Sequence, residues 1–276
     1  MRIHRGGRAV VGLALCLGAL AACDDSSGAA AGGAANPPTA SASASERARK
    51  PASAKGDESS LDGKVVVLDP GHNGGNADHP SEIGKQVKIG NGSKECDTTG
   101  TETQAGYAEH AFTWDVSKRL AKLLRAKGAK VALTREDDRG VGPCITERAA
   151  VGNRLKADAA VSIHADGAAA SGHGFHIIEP VSIGRNAEMV SGSARLGKAL
   201  RDAYHEGTGL PYSNYLGKNA IDRRDDLGGL NMSAVPKVFI ECGNMQNKSD
   251  AAKLSSAAFR QRIAESLAKG FESYLA

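Results

Sequence analysis

Several absences narrow this chain before any motif is read. Between residues 24 and 60 there is no aromatic residue and no valine, isoleucine or leucine. A stretch of Ala, Ser, Gly and Pro with scattered charge buries too little apolar surface to offset its conformational entropy, so it forms no core. No long lysine or arginine run occurs. Nucleic-acid binding, which needs a concentrated cationic footprint, is therefore disfavoured. No internal repeat and no second domain signal is visible. The apolar run from Ala9 to Cys23 is only about fifteen residues long, short for a transmembrane helix.

That run follows MRIHRGGR, which has three arginines and no acid. A positive n-region ahead of a short apolar segment reads as an export signal. Leu20-Ala21-Ala22-Cys23 resembles the lipobox of bacterial lipoproteins, in which the signal is cut before the cysteine and Cys23 is acylated. A plain signal cut after Ala19-Leu20-Ala21 also fits the A-x-A pattern. Either way the mature chain is expected outside the cytoplasm. Residues 1–23 are read as a lipoprotein-type signal peptide, and 24–60 as a disordered linker with a reach of roughly 35 Å. Residues 61–276 are read as one folded domain, long enough to bury about 70% of its unfolded surface.

The formal charge of +4 misleads, because removing the three signal arginines from 35 basic residues leaves 32 against 31 acids, or +1. Cysteine use agrees with an oxidising compartment. Cys96 and Cys144 lie in polar loops containing Gly or Pro, whereas Cys242 sits in an apolar strand and is expected to be a buried free thiol. A Cys96–Cys144 disulfide is expected, pinning a long loop whose closure is otherwise entropically costly. The alternative is three free thiols.

Strand-like runs alternate with helix-like ones. KVVVLD (64–69), KVALTR (130–135), AAVSIHA (159–165), GFHIIE (174–179) and KVFIECG (237–243) read as strands. Segments 107–127, 145–157, 187–206 and 257–275 read as helices, and 73–105 as a long loop. Strands apolar on both faces, interleaved with helices, predict an α/β domain with a mostly parallel central sheet flanked by helices. Ligands in such sheets bind beyond the carboxyl ends of strands. His72 follows the first strand, His164 ends the third, and Glu241 lies in the last.

In the helix that begins near Tyr107, Phe112, Val116, Leu120 and Leu123 form the apolar face. Glu109 shares that face, where a carboxylate needs a cation or metal beside it. His110 points about 100° away, although spacing alone does not separate these two neighbours. His72, Glu109 and His164 together offer two imidazoles and one carboxylate, the ligand set of a catalytic zinc site with a fourth position open for water. The spacing is long-range rather than a compact H-E-x-x-H motif. Glu241 is a lone acid in an apolar strand, where burial raises a carboxyl pKa toward the range of a working general base.

VVVLDPGHNG, GYAEHAF, AVSIHADG and VFIECGN, in that order, are similar to the four signature blocks of zinc-dependent N-acetylmuramoyl-L-alanine amidases of the Amidase_3 type. The intervening GTETQAGYAEHAFTW, GPCITERA and GFH segments resemble the single-domain actinobacterial branch. The resemblance covers residues 63 to 275. It implies one zinc ion held by His72, Glu109 and His164, with Glu241 as catalytic acid/base. It implies hydrolysis of the amide between N-acetylmuramic acid and the L-alanine of the stem peptide, in peptidoglycan or in muramyl peptides. The expected setting is the outer face of the membrane, through a lipid anchor, or the cell wall, with the protein acting as a monomer. Two features depart from the pattern: Cys242 stands where many members have an apolar residue, and separate wall-binding repeats are missing. Two other classes compete. A zinc peptidase uses the same water activation. A non-catalytic wall-binding or regulatory lipoprotein keeps the fold but is expected to lose a ligand or the base, and this chain retains all four.

Other residues carry weaker expectations. Asp69 is a candidate to bond a backbone group or the second nitrogen of His72. Asp166 is a candidate hydrogen-bond acceptor behind a ligand, and His176, Asn244 and an arginine of Arg223-Arg224-Asp225-Asp226 are candidates for substrate contact, the last against a carboxylate such as that of D-glutamate. For Asp166 a simple Asp-Gly turn, and for the arginine run a solvated self-neutralising turn, explain the residues equally well. His79 and His205 read as surface residues and His173 as a loop residue. The 73–105 loop is a candidate lid or inhibitory segment over the site.

Overall fold

The computed structural model describes residues 60–276, so the signal and Cys23 readings, and the linker up to residue 59, lie outside the described residues. The strands in chain order are β1 (Val65–Pro70), β2 (Gln86–Lys88), β3 (Ser93–Glu95), β4 (Lys130–Leu133), β5 (Ala159–Asp166), β6 (His176–Pro180), β7 (Ile221–Arg224) and β8 (Lys237–Asn244). The helices are α1 (Pro80–Ile83), α2 (Glu109–Ala126), α3 (Ile145–Leu155), α4 (Ala187–Thr208), α5 (Gly228–Asn231), α6 (Lys248–Leu254) and α7 (Ala257–Leu275).

Six strands form one sheet in the order β4-β1-β5-β8-β6-β7. The first four run parallel. β6 is antiparallel to β8, and β7 is parallel to β6, so the last two strands run opposite to the rest. The fold is α/β with a mostly parallel central sheet, as the alternating segments predict. The expected loop 73–105 is not structureless: it carries a 3-10 turn at Asn76–Asp78, α1 and the β2–β3 hairpin.

The pleat sends alternate side chains to opposite faces. One face presents Leu68, Val161, Ile163, Val238 and Ile240, all fully buried. α2 and α4 cover it, and α7 packs against both helices. Burial of each such side chain stabilises the fold by about 1.5–3 kcal/mol. The opposite face begins with a small apolar patch, Val67 and Ala160 with Val235. It then turns polar, with Asp69, Ser162, Lys237, His164 and Glu241 in adjacent registers. Polar side chains on a sheet face need partners or a ligand, and it is on this face, at the carboxyl end of the parallel strands, that the chemistry gathers. Cys242 is a buried free thiol on the apolar face.

Candidate metal centre and cleft

β1 delivers His72 by a sharp corner. Gly71 N–H donates to the Ile163 carbonyl at 3.0 Å, extending the ladder one residue past the strand. His72 then takes a left-handed backbone, φ 59°, which costs an L-residue about 1 kcal/mol or more and persists only where the surroundings enforce it. Its Nδ1 lies 3.0 Å from the carbonyl oxygen of Thr98. A carbonyl only accepts, so Nδ1 carries the proton and Nε2 is left to act as a ligand when the ring is neutral.

Glu109 is the first residue of α2 and is buried. Its carboxylate accepts the N–H of Thr101 at 2.9 Å and of Ala165 at 3.1 Å, and the helix N-terminus favours its negative charge. Glu109 Oε2 stands 3.2 Å from His72 Nε2, and Oε1 stands 3.0 Å from His164 Nδ1. The His164 ring stacks on Phe239, with centroids 5.1 Å apart and planes 9° from parallel. Gly100, at φ 79°, lets the chain pass this cluster, since a β-carbon there would lie 2.8 Å from both Glu109 Oε2 and the His72 ring.

The three ligand atoms of His72, Glu109 and His164 all lie within 4.8 Å of one another. Tetrahedral zinc with bonds of about 2.0–2.2 Å needs its donors roughly 3.4 Å apart, so the trio can grip one ion with small side-chain movement. Two imidazole nitrogens and a carboxylate oxygen also suit zinc chemically. In the ion-free chain the same closeness turns into proton binding: burial acts to lower the His72 pKa, but Glu109 and Asp97 raise it to about 10. The same histidines hold the Glu109 carboxyl below its ordinary range despite burial.

Glu241 is the register partner of His164 across β5 and β8, one strand away. Burial first, and then the nearby carboxylates Glu109 and Asp166, push its pKa well above the usual range. Its Oε2 is sealed from solvent without a hydrogen-bond partner, as are His176 Nδ1 and the Tyr215 hydroxyl, whose rings meet edge to face. His72, Glu109, His164 and Glu241 all line one cavity of about 430 Å³.

Asp69 is not the partner of a histidine. Its carboxylate accepts from Arg148 at 3.1 Å, Lys237 at 2.9 Å, Thr134 at 2.6 Å and Ser162 at 2.5 Å. The residue at the back of His72 is instead Asp97, whose Oδ1 is 3.6 Å from Nδ1. Arg148 links the two acids. Its guanidinium donates to Asp69, to Asp97 at 2.9 Å and to the carbonyls of Pro70 and His72 at 2.7 and 2.9 Å. The sequence does carry a trace of this: Arg148 shares the inward face of α3 with Ala149 and Gly152, and a lone arginine on such a face calls for carboxylates.

Other candidates resolve individually. His110 turns away from the centre and meets Asp138 at 2.9 Å. Asn244 is fully buried and holds the 169–172 loop through the carbonyls of Ala169 and Gly172, so it is a staple rather than a substrate contact. His176 is sealed beneath Tyr215 and does not line the cavity. His79 and His205 are both exposed, as read, His79 beside Glu82 and His205 with its ring against Phe175 and Tyr212. Asp166 accepts the N–H of Gly167 at 2.7 Å, a local turn, and also borders the cavity. The run at 223–226 is not a free turn: Arg223 and Arg224 end β7. The structure joins Cys96 to Cys144 by a disulfide, which ties the Asp97–Thr98 segment to the head of α3.

Two imidazoles and a carboxylate beside a half-buried glutamate, at the rim of a mostly parallel sheet, define a candidate metallohydrolase. Residues 66–273 match the family described as N-acetylmuramoyl-L-alanine amidase. The chain belongs to that family, which is a family of enzymes. A relative from Mycobacterium tuberculosis, N-acetylmuramoyl-L-alanine amidase Rv3717, is 41% identical over 229 residues, covering 82% of this chain and 92% of the relative. The structure of the amidase Ami1 from Mycobacterium smegmatis matches with a TM-score of 0.74 and 41% identity, over 78% of this chain and 98% of that one. The apo form of Ami1 from Mycobacterium abscessus matches with a TM-score of 0.72 and 41% identity, over 78% of this chain and 100% of that one.

Proposed function

We propose that this enzyme is a zinc-dependent peptidoglycan amidase that cleaves the amide between the lactyl group of N-acetylmuramic acid and the L-alanine of the stem peptide. The observation that carries this reading is the convergence of His72, Glu109 and His164 within 4.8 Å, one strand from the unpartnered carboxyl oxygen of Glu241. His72 through Nε2, His164 through a ring nitrogen and Glu109 through one oxygen would hold the ion. Zinc held by these residues would supply Lewis acidity, polarising the scissile carbonyl and making the attacking water more acidic.

The protein's own groups do the rest. The Glu241 carboxylate, which borders the cavity, accepts the proton of the attacking water and returns it to the departing amine of L-alanine. Burial and the nearby carboxylates Glu109 and Asp166 raise its pKa, which favours uptake of the proton. Thr98 and Asp97 fix the His72 ring so that Nε2 faces inward. Phe239 holds the His164 ring flat and excludes water from one side. Export behind a signal peptide, with acylation at Cys23 and the 24–60 segment as a tether, puts the domain next to its polymeric substrate.

Digestion of muramyl peptides, with mass analysis of the products, tests the reading. The expected products are an intact sugar with a free lactyl carboxylate and a peptide with a free N-terminal L-alanine, with a chelator abolishing the reaction. Cleavage between two amino acids, or full activity of Glu241→Ala, contradicts it.

A further inference from the structure

At the far side of the same cavity, two cations share one carboxylate. Asp226 accepts Arg224 Nε at 2.8 Å and Nη2 at 2.7 Å, and Lys94 Nζ at 3.0 Å. Within this trio two positive charges face one, with Asp222 and Glu241 acting on Arg224 from farther off. Arg224 Nη1 and two of the three Lys94 N–H donors have no partner among the described residues. Both side chains are about one-third exposed, at 35% and 36%, and both line the cavity that holds Glu241. Arg148, the other cation at the cavity wall, is buried and fully engaged.

The sheet sets where Arg224 points. It is the register partner of Pro180, while Ile178 partners Phe239, so Arg224 shares the face of Phe239 and Glu241. Arg223 goes to the opposite face and meets Glu179 at 3.2 Å. β7 lies two strands from β8, a lateral distance of about 10 Å, much of which an extended arginine spans. Two residues of extended peptide reach roughly 7 Å.

We propose that Arg224 and Lys94 form a carboxylate subsite that reads the charge of the stem peptide about two residues beyond the scissile amide. The inference rests on the amidase reading. The group it takes is a free carboxylate on the second stem residue, such as the α-carboxylate of a D-glutamate linked onward through its side chain. A guanidinium presents paired N–H donors that match a carboxylate, and the lysine adds a second charge. When that carboxylate is amidated the subsite loses its ion pair, so the enzyme discriminates between acidic and amidated stem peptides.

The test uses N-acetylmuramoyl-L-alanyl-D-glutamate and its D-isoglutamine counterpart, both with the side-chain carboxyl blocked as the methylamide so that only the first carries a carboxylate on that residue, with zinc-loaded protein. The wild type is expected to show a KM about tenfold lower for the acid, the value of one charge-assisted contact. Arg224→Gln is expected to raise KM for the acid about tenfold more than for the amide, with kcat nearly unchanged. Lys94→Gln, on the exposed hairpin, is expected to act in the same direction even if the strand variant folds poorly. Equal KM values for the two substrates in the wild type, or equal losses on both in the variants, overturn the subsite. Calorimetric binding of both peptides to Glu241→Gln protein decides the subsite separately from cleavage: if neither peptide is hydrolysed by the wild type, the amidase reading fails, while a tenfold affinity gap still supports the subsite.

Discussion

Gly71 and His164 are packed so closely that a β-carbon on the glycine would lie 2.2 Å from Cε1 of the imidazole. The corner that turns β1 into His72 is therefore also the wall against which the second histidine rests. Gly71→Ala is expected to displace the His164 ring and to lower kcat/KM by about 100-fold, the scale of a 1 Å misplacement of a reacting group. Far-UV circular dichroism should remain that of the wild type. An alanine variant with normal turnover would show that the contact does not set the ring's position.

Beneath the centre, Asp69 neutralises Arg148 and Lys237, all three buried. Burial acts to raise the Asp69 pKa, but the two cations together with Ser162 and Thr134 hold it well below its ordinary value. A carboxyl with a depressed native pKa contributes stability that is complete above its unfolded value near 3.9 and is lost as pH falls toward the native one. Asp69→Asn leaves buried Lys237 without a carboxylate and Arg148 with Asp97 alone, and is expected to cost about 3–5 kcal/mol at pH 7. In urea unfolding, the gap between variant and wild type should narrow below about pH 4. A gap that widened on acidification would contradict this assignment of charge.

The Cys96–Cys144 bond closes a separation of 48 residues. On the chain-entropy account such a loop is worth about 4 kcal/mol, and for a domain of this size that corresponds to a fall in Tm of roughly 10 °C on its removal. A Cys96→Ser, Cys144→Ser double variant is expected to show that loss. Because the bond also anchors the Asp97–Thr98 segment behind His72, the variant's zinc affinity should fall as well. A Tm within a degree of the wild type would mean the two loops are held by other contacts.

Much of this was legible from residue pattern because the strands that carry the site read as nearly continuous apolar runs in which Asp69, His164 and Glu241 stand out near the carboxyl ends. Glu109 was separable from His110 only in part: the apolar stripe pointed to it, and the structure adds the Thr101 and Ala165 N–H groups that hold its carboxylate. The partners of Asp69 were not legible, since Arg148 and Lys237 lie 79 and 168 residues away in the chain. β7 and the β2–β3 hairpin were missed because three- or four-residue polar strands carry no usable periodicity. The reversal of β6 and β7 was also invisible, as strand direction depends on how the long connections run rather than on strand composition. Asn244 looked like a substrate contact because it follows the proposed base; only its bonds to the Ala169 and Gly172 carbonyls assign it to the loop.

The central claim is that His72, Glu109 and His164 hold one zinc ion beside Glu241. Calorimetric titration of zinc into chelator-stripped protein, wild type against Glu109→Gln, tests it most directly. Loss of outer partners alone weakens metal sites by about 10- to 100-fold, so the account predicts one ion per wild-type chain and binding more than about 100-fold weaker in the variant. A folded wild type that takes up no ion, or a variant that binds as tightly, would contradict it.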